Sequence, residues 1–325
     1  MRGADPEAPV EVVCVGETMA VLAPADTAHP LALQTTLALS VGGAESNVAC
    51  ALVALGRSAA WLGRVGADPL GRRVLADLAD RGVDVSAAQT DPTRPTGVYF
   101  KDPGPDGTGV HYYRRGSAAS AMGPELAAVP LLHRARVLHL SGITAALSGT
   151  CAELLTNLVV RRTVPGPLVS FDVNHRPSLW RDRPRDAAPA LLRLARSADL
   201  VFVGRDEAET LWGTRTPAAV HDLLGPGRTL VVKDAGHGAT AYGADGTEAF
   251  VPAPPARIVE RVGAGDAFAA GFLAALLEGR APEAGLRLGH LAAAAALATT
   301  EDIAPLCQTP PVPSDHGSTV GEPHG

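Results

Sequence analysis

Residues 168–233 alternate two kinds of segment: LVSFD (168–172), DAAPALLRLA (186–195), LVFV (200–203), PAAVHDLL (217–224) and LVVK (230–233). The first, third and fifth are short, continuous and rich in Val and Leu, the pattern of strands covered on both faces. The second and fourth carry Leu, Val and Ala at helical spacing. Strands separated by helices in this way run parallel, because a tight hairpin cannot join parallel strands. The right-handed crossover rule then lays helices on both faces, which gives a doubly wound α/β sandwich with a mostly parallel sheet.

Upstream, residues 12–16 (VVCVG), 61–65 (WLGRV) and 137–140 (VLHL) read as further strands, and 47–55, 70–81 and 151–160 as helices. Gly82 stands where a C-cap glycine belongs. Residues 18–40 alternate weakly, and 98–101 with 110–114 flank the turn-rich DPGPDG at 102–107. Stretches 18–40 and 97–114 therefore read as a small β lid, open on one face. Two helices follow at 266–277 and 283–298, so residues 10–306 form one domain. Beyond it, 307–325 is rich in Pro, Gly and Ser and is expected to be a disordered tail.

Hydrophobic residues make up 46% and charged residues 19% of the 325, which excludes an intrinsically disordered chain. A net charge of −6 gives no basic excess to displace counterions, so no nucleic-acid partner is expected. Apolar runs fall short of the roughly 20 residues that span a bilayer, so no membrane association is expected. The N-terminus lacks the apolar core of a signal peptide. Cys14, Cys50, Cys151 and Cys307 form no CxxC pair and read as reduced thiols. A cytoplasmic location follows from these expectations.

The strongest chemical signal is RVGAGDAF (261–268), which runs directly into a helix. Glycines ahead of a helix leave backbone N–H groups unpaired and aimed at one point, a site for an anion. Gly263, Ala264 and Gly265 supply such amides, and Asp266 beside them is a proton acceptor that the helix dipole keeps ionised. The competing reading is a tight turn with an Asp cap. A second signal is VGGAESN (41–47), where Gly43 allows close backbone approach and Asn47 can bind sugar hydroxyls. Its competing reading is a loop with a helix cap.

Taken together, these two stretches identify a resemblance to the ribokinase-like sugar kinases, the PfkB family. VGGAESNVACALVALG is similar to that family's N-terminal signature and RVGAGDAFAAGFLAALL to its C-terminal one. The resemblance implies that Asp266 is the catalytic base, that the amides of Gly263, Ala264 and Gly265 form the anion hole, and that ATP and Mg²⁺ are used. YYR (112–114) and DVNHR (172–176) most resemble the 2-keto-3-deoxygluconate kinases. Tyr112, Arg114 and Arg176 are then expected around a sugar acid, since a guanidinium grips a carboxylate in two prongs. For Arg114 the alternative is a solvated hairpin charge; for Arg176 it is contact with ATP phosphates.

The resemblance extends to KDAGHG (233–238), where Lys233, Gly236 and Gly238 with Asn174 are expected to meet ATP, and to Glu207, expected to organise Mg²⁺ through water. The chain departs from the family pattern at Gly204, which replaces an Asn, and at Glu260 and Arg261. Arg261 either pairs with a phosphate or faces solvent. No GxxxxGK[ST], GxGxxG after a strand, HExxH or GxSxG occurs, which removes P-loop, dinucleotide, zinc-protease and serine-hydrolase readings. Other readings left standing are a kinase for a neutral fructose-like sugar, ribose or nucleoside, and a non-catalytic sensor of nucleotide or sugar acid. The open lid face leaves room for a homodimer or higher homo-oligomer.

Overall fold

Val12–Val15 alternate strictly in the first strand, with all four side chains buried. Val13 and Val15 enter one apolar cluster, and Val12 and Cys14 enter the other. A strand that feeds two cores must be sandwiched, and the whole fold is organised around that fact. A computed structural model describes residues 10–26, 29–104, 107–300 and Ile303. The expected tail at 307–325 lies outside the described residues, as does Cys307.

In chain order the first part comprises β1 (Val12–Val15), β2 (Met19–Pro24), β3 (Leu37–Gly42), α1 (Ala44–Ala54), β4 (Ala59–Leu62) and β5 (Arg64–Gly66). Next come α2 (Pro69–Asp80), β6 (Gln89–Asp91), β7 (Val98–Gly104), β8 (Gly107–Tyr113), α3 (Pro130–Arg134), β9 (Val137–Ser141), α4 (Gly142–Leu147) and α5 (Gly149–Leu155). The remainder is β10 (Leu168–Asp172), α6 (Pro184–Ser197), β11 (Leu200–Gly204), α7 (Arg205–Trp212), α8 (Pro217–Leu224), β12 (Thr229–Asp234), β13 (Gly238–Tyr242), β14 (Glu248–Pro252), α9 (Ala264–Leu277) and α10 (Pro282–Leu297).

The main sheet has the order β14-β13-β12-β11-β10-β9-β1-β4. From β4 to β12 every pairing is parallel. Leu138, Leu140, Val201, Val203 and Val232 face the α5–α6 side, while Leu200, Phe202 and Val231 meet α1 and α9. The doubly wound sandwich expected from 168–233 is the fold observed. Parallel strands all end on one edge, so Gly16, Ser141, Asp172, Gly204 and Asp234 fall together there.

Several elements differ from expectation. The edge strands β13 and β14 are antiparallel, and the run at 61–65 breaks at Gly63 into β4 and β5 of different sheets. Gly63 is required there, because a Cβ would lie 2.4 Å from the Gly16 carbonyl oxygen. The helix expected over 151–160 begins as α5 and ends in a π turn at Thr156–Val160.

The lid is a second sheet of four strands, in the order β3-β2-β7-β8. Met19, Val21 and Tyr99 form its small apolar floor, while Leu39 and Tyr113 stay exposed. Lys101, on β7, is buried and donates from Nζ to the Thr300 carbonyl at 2.8 Å, just past α10.

Candidate active site

Between the lid and the C-terminal edge of the main sheet lies a cleft of about 870 Å³. Lid residues Tyr99, Val110, Tyr112 and the strand-end residues Asp172 and Lys233 line it, with Gly263, Gly265 and Asp266.

α9 starts here because Gly263, at φ 82°, makes the left-handed turn that admits the chain to the helix. The first amides of a helix have no intrahelical acceptor. Among the described residues, the amides of Gly263, Ala264 and Gly265 find none elsewhere either. Asp266, in the same first turn, is half-buried and faces the cleft rather than the core. Its Oδ2 accepts a 2.8 Å hydrogen bond from Asn47 Nδ2. Burial pushes its carboxyl up to about 7; Asp172 pushes the same way, while Asn47, Arg176 and Lys233 oppose. Desolvation thus runs against the expectation of a carboxylate kept ionised, and it makes Asp266 a stronger base once deprotonated.

Lys233, at the end of β12, has Nζ 2.8 Å from Asp172 Oδ2. A Cβ at Gly265 would stand 3.6 Å from that Nζ, so the ammonium sits beside the free amides. Burial pulls Lys233 down, but Asp172, Glu207 and Asp266 outweigh it and hold the ammonium above its usual range. Asn174, at φ 39°, buries an Oδ1 that has no partner among the described residues. Arg176 is half-exposed at the cleft wall, with Nη1 3.8 Å from Glu207 Oε1.

Some expected roles change. Gly236 and Gly238 do not line this cleft; of KDAGHG, Lys233 and Ala235 do. Gly238 is a glycine for packing, since a Cβ there would lie 2.5 Å from the Val251 carbonyl oxygen in the β13–β14 pair. Glu207 is a clamp: its Oε1 accepts from the His175 amide at 2.9 Å and its Oε2 from the Gly204 amide at 2.8 Å. Gly43 lacks a side chain because a Cβ would start 2.2 Å from the Glu17 carbonyl oxygen. Asn47 orients Asp266. Arg114 is not a solvated hairpin charge: it is buried, lies over the Tyr112 ring at 5.4 Å, and pairs with Glu17 through Nε at 2.7 Å and through Nη2. Arg261 is exposed at the cleft wall, and its backbone N–H donates to Glu260 Oε1 at 2.7 Å.

Three acids that sequence reasoning gave no role prove central. Asp172 ends β10 and holds Lys233. Glu17 follows β1 and holds Arg114. Glu45, fully buried, accepts from Ser141 Oγ at 2.7 Å and Thr144 Oγ1 at 2.9 Å, and burial pushes its carboxyl up. The available signal was positional: each stands next to the end of a buried strand or the start of a helix at the sheet's C-terminal edge, where α/β folds place their sites.

The model for the pfkB family carbohydrate kinases matches residues 10–309. The chain belongs to that family. Its pfkB relatives include the 2-dehydro-3-deoxygluconokinase of Bacillus subtilis (strain 168), 35% identical over 274 residues, covering 83% of this chain and 84% of the relative. A pfkB protein from Polaromonas sp. JS666 matches in structure with a TM-score of 0.80 and 36% identity, over 88% of this chain and 95% of that one. An E. coli protein solved with ATP and Mg²⁺ shares the fold at TM-score 0.81 and 20% identity, over 90% and 94% of the two chains. The free amides and Asp266 therefore sit in the cleft of a carbohydrate kinase. Among the described residues no helix is long and apolar enough to cross a membrane.

Proposed function

We propose that this kinase phosphorylates a sugar acid with ATP, and that its substrate is 2-keto-3-deoxygluconate, converted to the 6-phosphate. The observation that carries the reaction is Asp266 held by Asn47 beside unpaired helix-start amides. Asp266 removes the proton from the accepting hydroxyl as its oxygen attacks in line. The amides of Gly263, Ala264 and Gly265 hold the phosphoryl oxygens, and Lys233 adds positive charge next to them. Phosphoryl transfer relies mainly on positioning and charge neutralisation, which matches this inventory. The lid closes over the sugar and keeps water from competing as acceptor.

For the acid end of the substrate, Arg176 carries the exposed cation, while Tyr112 and Arg114 approach from the lid. The 2-dehydro-3-deoxygluconokinase name of the Bacillus relative supports that choice. Asn174 borders the nucleotide phosphates.

Among the described residues no cluster of three or more His, Cys, Asp or Glu could cage a metal. Mg²⁺ would arrive with the nucleotide and keep much of its water, and Asn174 Oδ1, without a partner among the described residues, would be one acceptor for that water. Mg²⁺ bound there would neutralise phosphate charge. Exposed Leu39 and Tyr113 on the lid support a homodimer joined lid to lid, which sedimentation velocity tests.

A panel of sugar acids, fructose, ribose and nucleosides with coupled ADP detection tests the substrate. 2-Keto-3-deoxygluconate should give the highest kcat/KM. A neutral sugar ahead of it would overturn the acid reading, and ligand binding without any phosphorylated product would overturn the reaction.

A further inference from the structure

The lid joins the body through four chain crossings, and all four meet at one residue, three of them at its carboxylate. Glu17 lies on the first, between β1 and β2. On the second, Gly43 presses against the Glu17 carbonyl, where a Cβ would come within 2.2 Å. On the third, a Cβ at Gly97 would stand 2.8 Å from Glu17 Oε1. The fourth carries Arg114, which binds Glu17 Oε2, and Ser117, whose Oγ donates to Oε1 at 2.7 Å. Glu17 and Arg114 are both buried, and both line the cleft.

We propose that Glu17 is the positioning residue for Arg114: it fixes the guanidinium over the sugar end of the cleft and seats the lid on the sheet through the same carboxylate. This rests on the reading that a sugar binds beneath the lid. Nε and Nη2 are spent on Glu17, so Nη1 is the nitrogen left without a partner among the described residues. A guanidinium held on one edge has little freedom left, and its remaining donors point in a fixed direction. Ser117 and Gly97 in turn hold the carboxylate, so it cannot swing away with the arginine. Lid position and the direction of the substrate-facing donor are thereby set by one group.

The test is a double-variant cycle on the intact enzyme, using whichever sugar of the panel gives the highest kcat/KM. Glu17→Gln keeps the size of the side chain and removes its charge. It should raise the sugar KM on the order of ten-fold and leave the ATP KM within about two-fold. In an Arg114→Met background the same change should move the sugar KM by less than about two-fold, because the residue it acts through is gone. Arg114→Met alone leaves a buried carboxylate unpaired and should lower the melting temperature by roughly 5–10 °C; the double variant should recover much of that loss. Equal rises in both KM values, or an unchanged sugar KM in Glu17→Gln, would overturn the assignment. So would independent, multiplying effects, or a double variant that melts no higher than Arg114→Met. Failure of every panel sugar would instead count against the kinase substrate reading, while the melting arm still reads the pair.

Discussion

Asp266 has to be both a base and a stable part of a fold, and its surroundings set these demands against each other. Burial holds its carboxyl near 7 instead of the usual 3.8. For the free enzyme, kcat/KM should then climb about ten-fold per pH unit below 7 and level off above it, as the carboxyl loses its proton. Asp266→Asn should cut kcat by roughly 10²–10⁴ and abolish that limb, which steady-state rates from pH 5.5 to 9 would read. A near-normal rate in the variant would reject the base. The same shift fixes the sign of a stability effect. An acid whose folded value lies above its unfolded value costs nothing below the unfolded value, and its ionisation opposes folding increasingly up to the folded one. Asp266→Asn should therefore melt higher than the parent at pH 8, with the gap closing as pH falls from 7 towards 4. Thermal melts without ligand check this.

Elements show where the sequence could be read and where it could not. The Val- and Leu-rich runs at 168–172, 200–203 and 230–233 announced buried parallel strands because burial on both faces leaves no polar position. RVGAGDAF announced a helix start with open amides for an equally local reason. Gly43 was legible as a glycine that mattered, but not why: its neighbour is a carbonyl oxygen on a different crossing, brought there by tertiary packing. Gly43→Ala should force that contact apart and destabilise the fold by about 1–3 kcal/mol, measurable by urea titration. Gly236 lies in the turn between β12 and β13, and Gly238 opens β13, so a pattern read for phosphate contact also serves an antiparallel edge pair that local sequence did not announce. The ion pairs Lys233–Asp172 and Arg114–Glu17 join residues 61 and 97 positions apart, a distance no local pattern reports.

For the whole molecule, the division of labour lies between a body that is apolar on both sides of its sheet and a lid whose small floor is Met19, Val21 and Tyr99, with Val110 packed against it. A sheet with so little apolar area of its own depends on its attachments, and the lid was the part of the fold that periodicity described least. Its strands are weakly patterned because one face is open, and its purpose emerges only once the cleft beneath is seen.

The bond from Lys101 to Thr300 links that lid to the far end of the helix pair whose first turn carries Asp266. A lid fastened at its root and again at mid-span cannot rock without dragging the end of α10 or letting go of it. Opening is thus geared to the platform that carries the reacting groups through the Lys101 ammonium. Lys101→Met should uncouple the two, and the leak would show as faster ATP hydrolysis when no sugar is present.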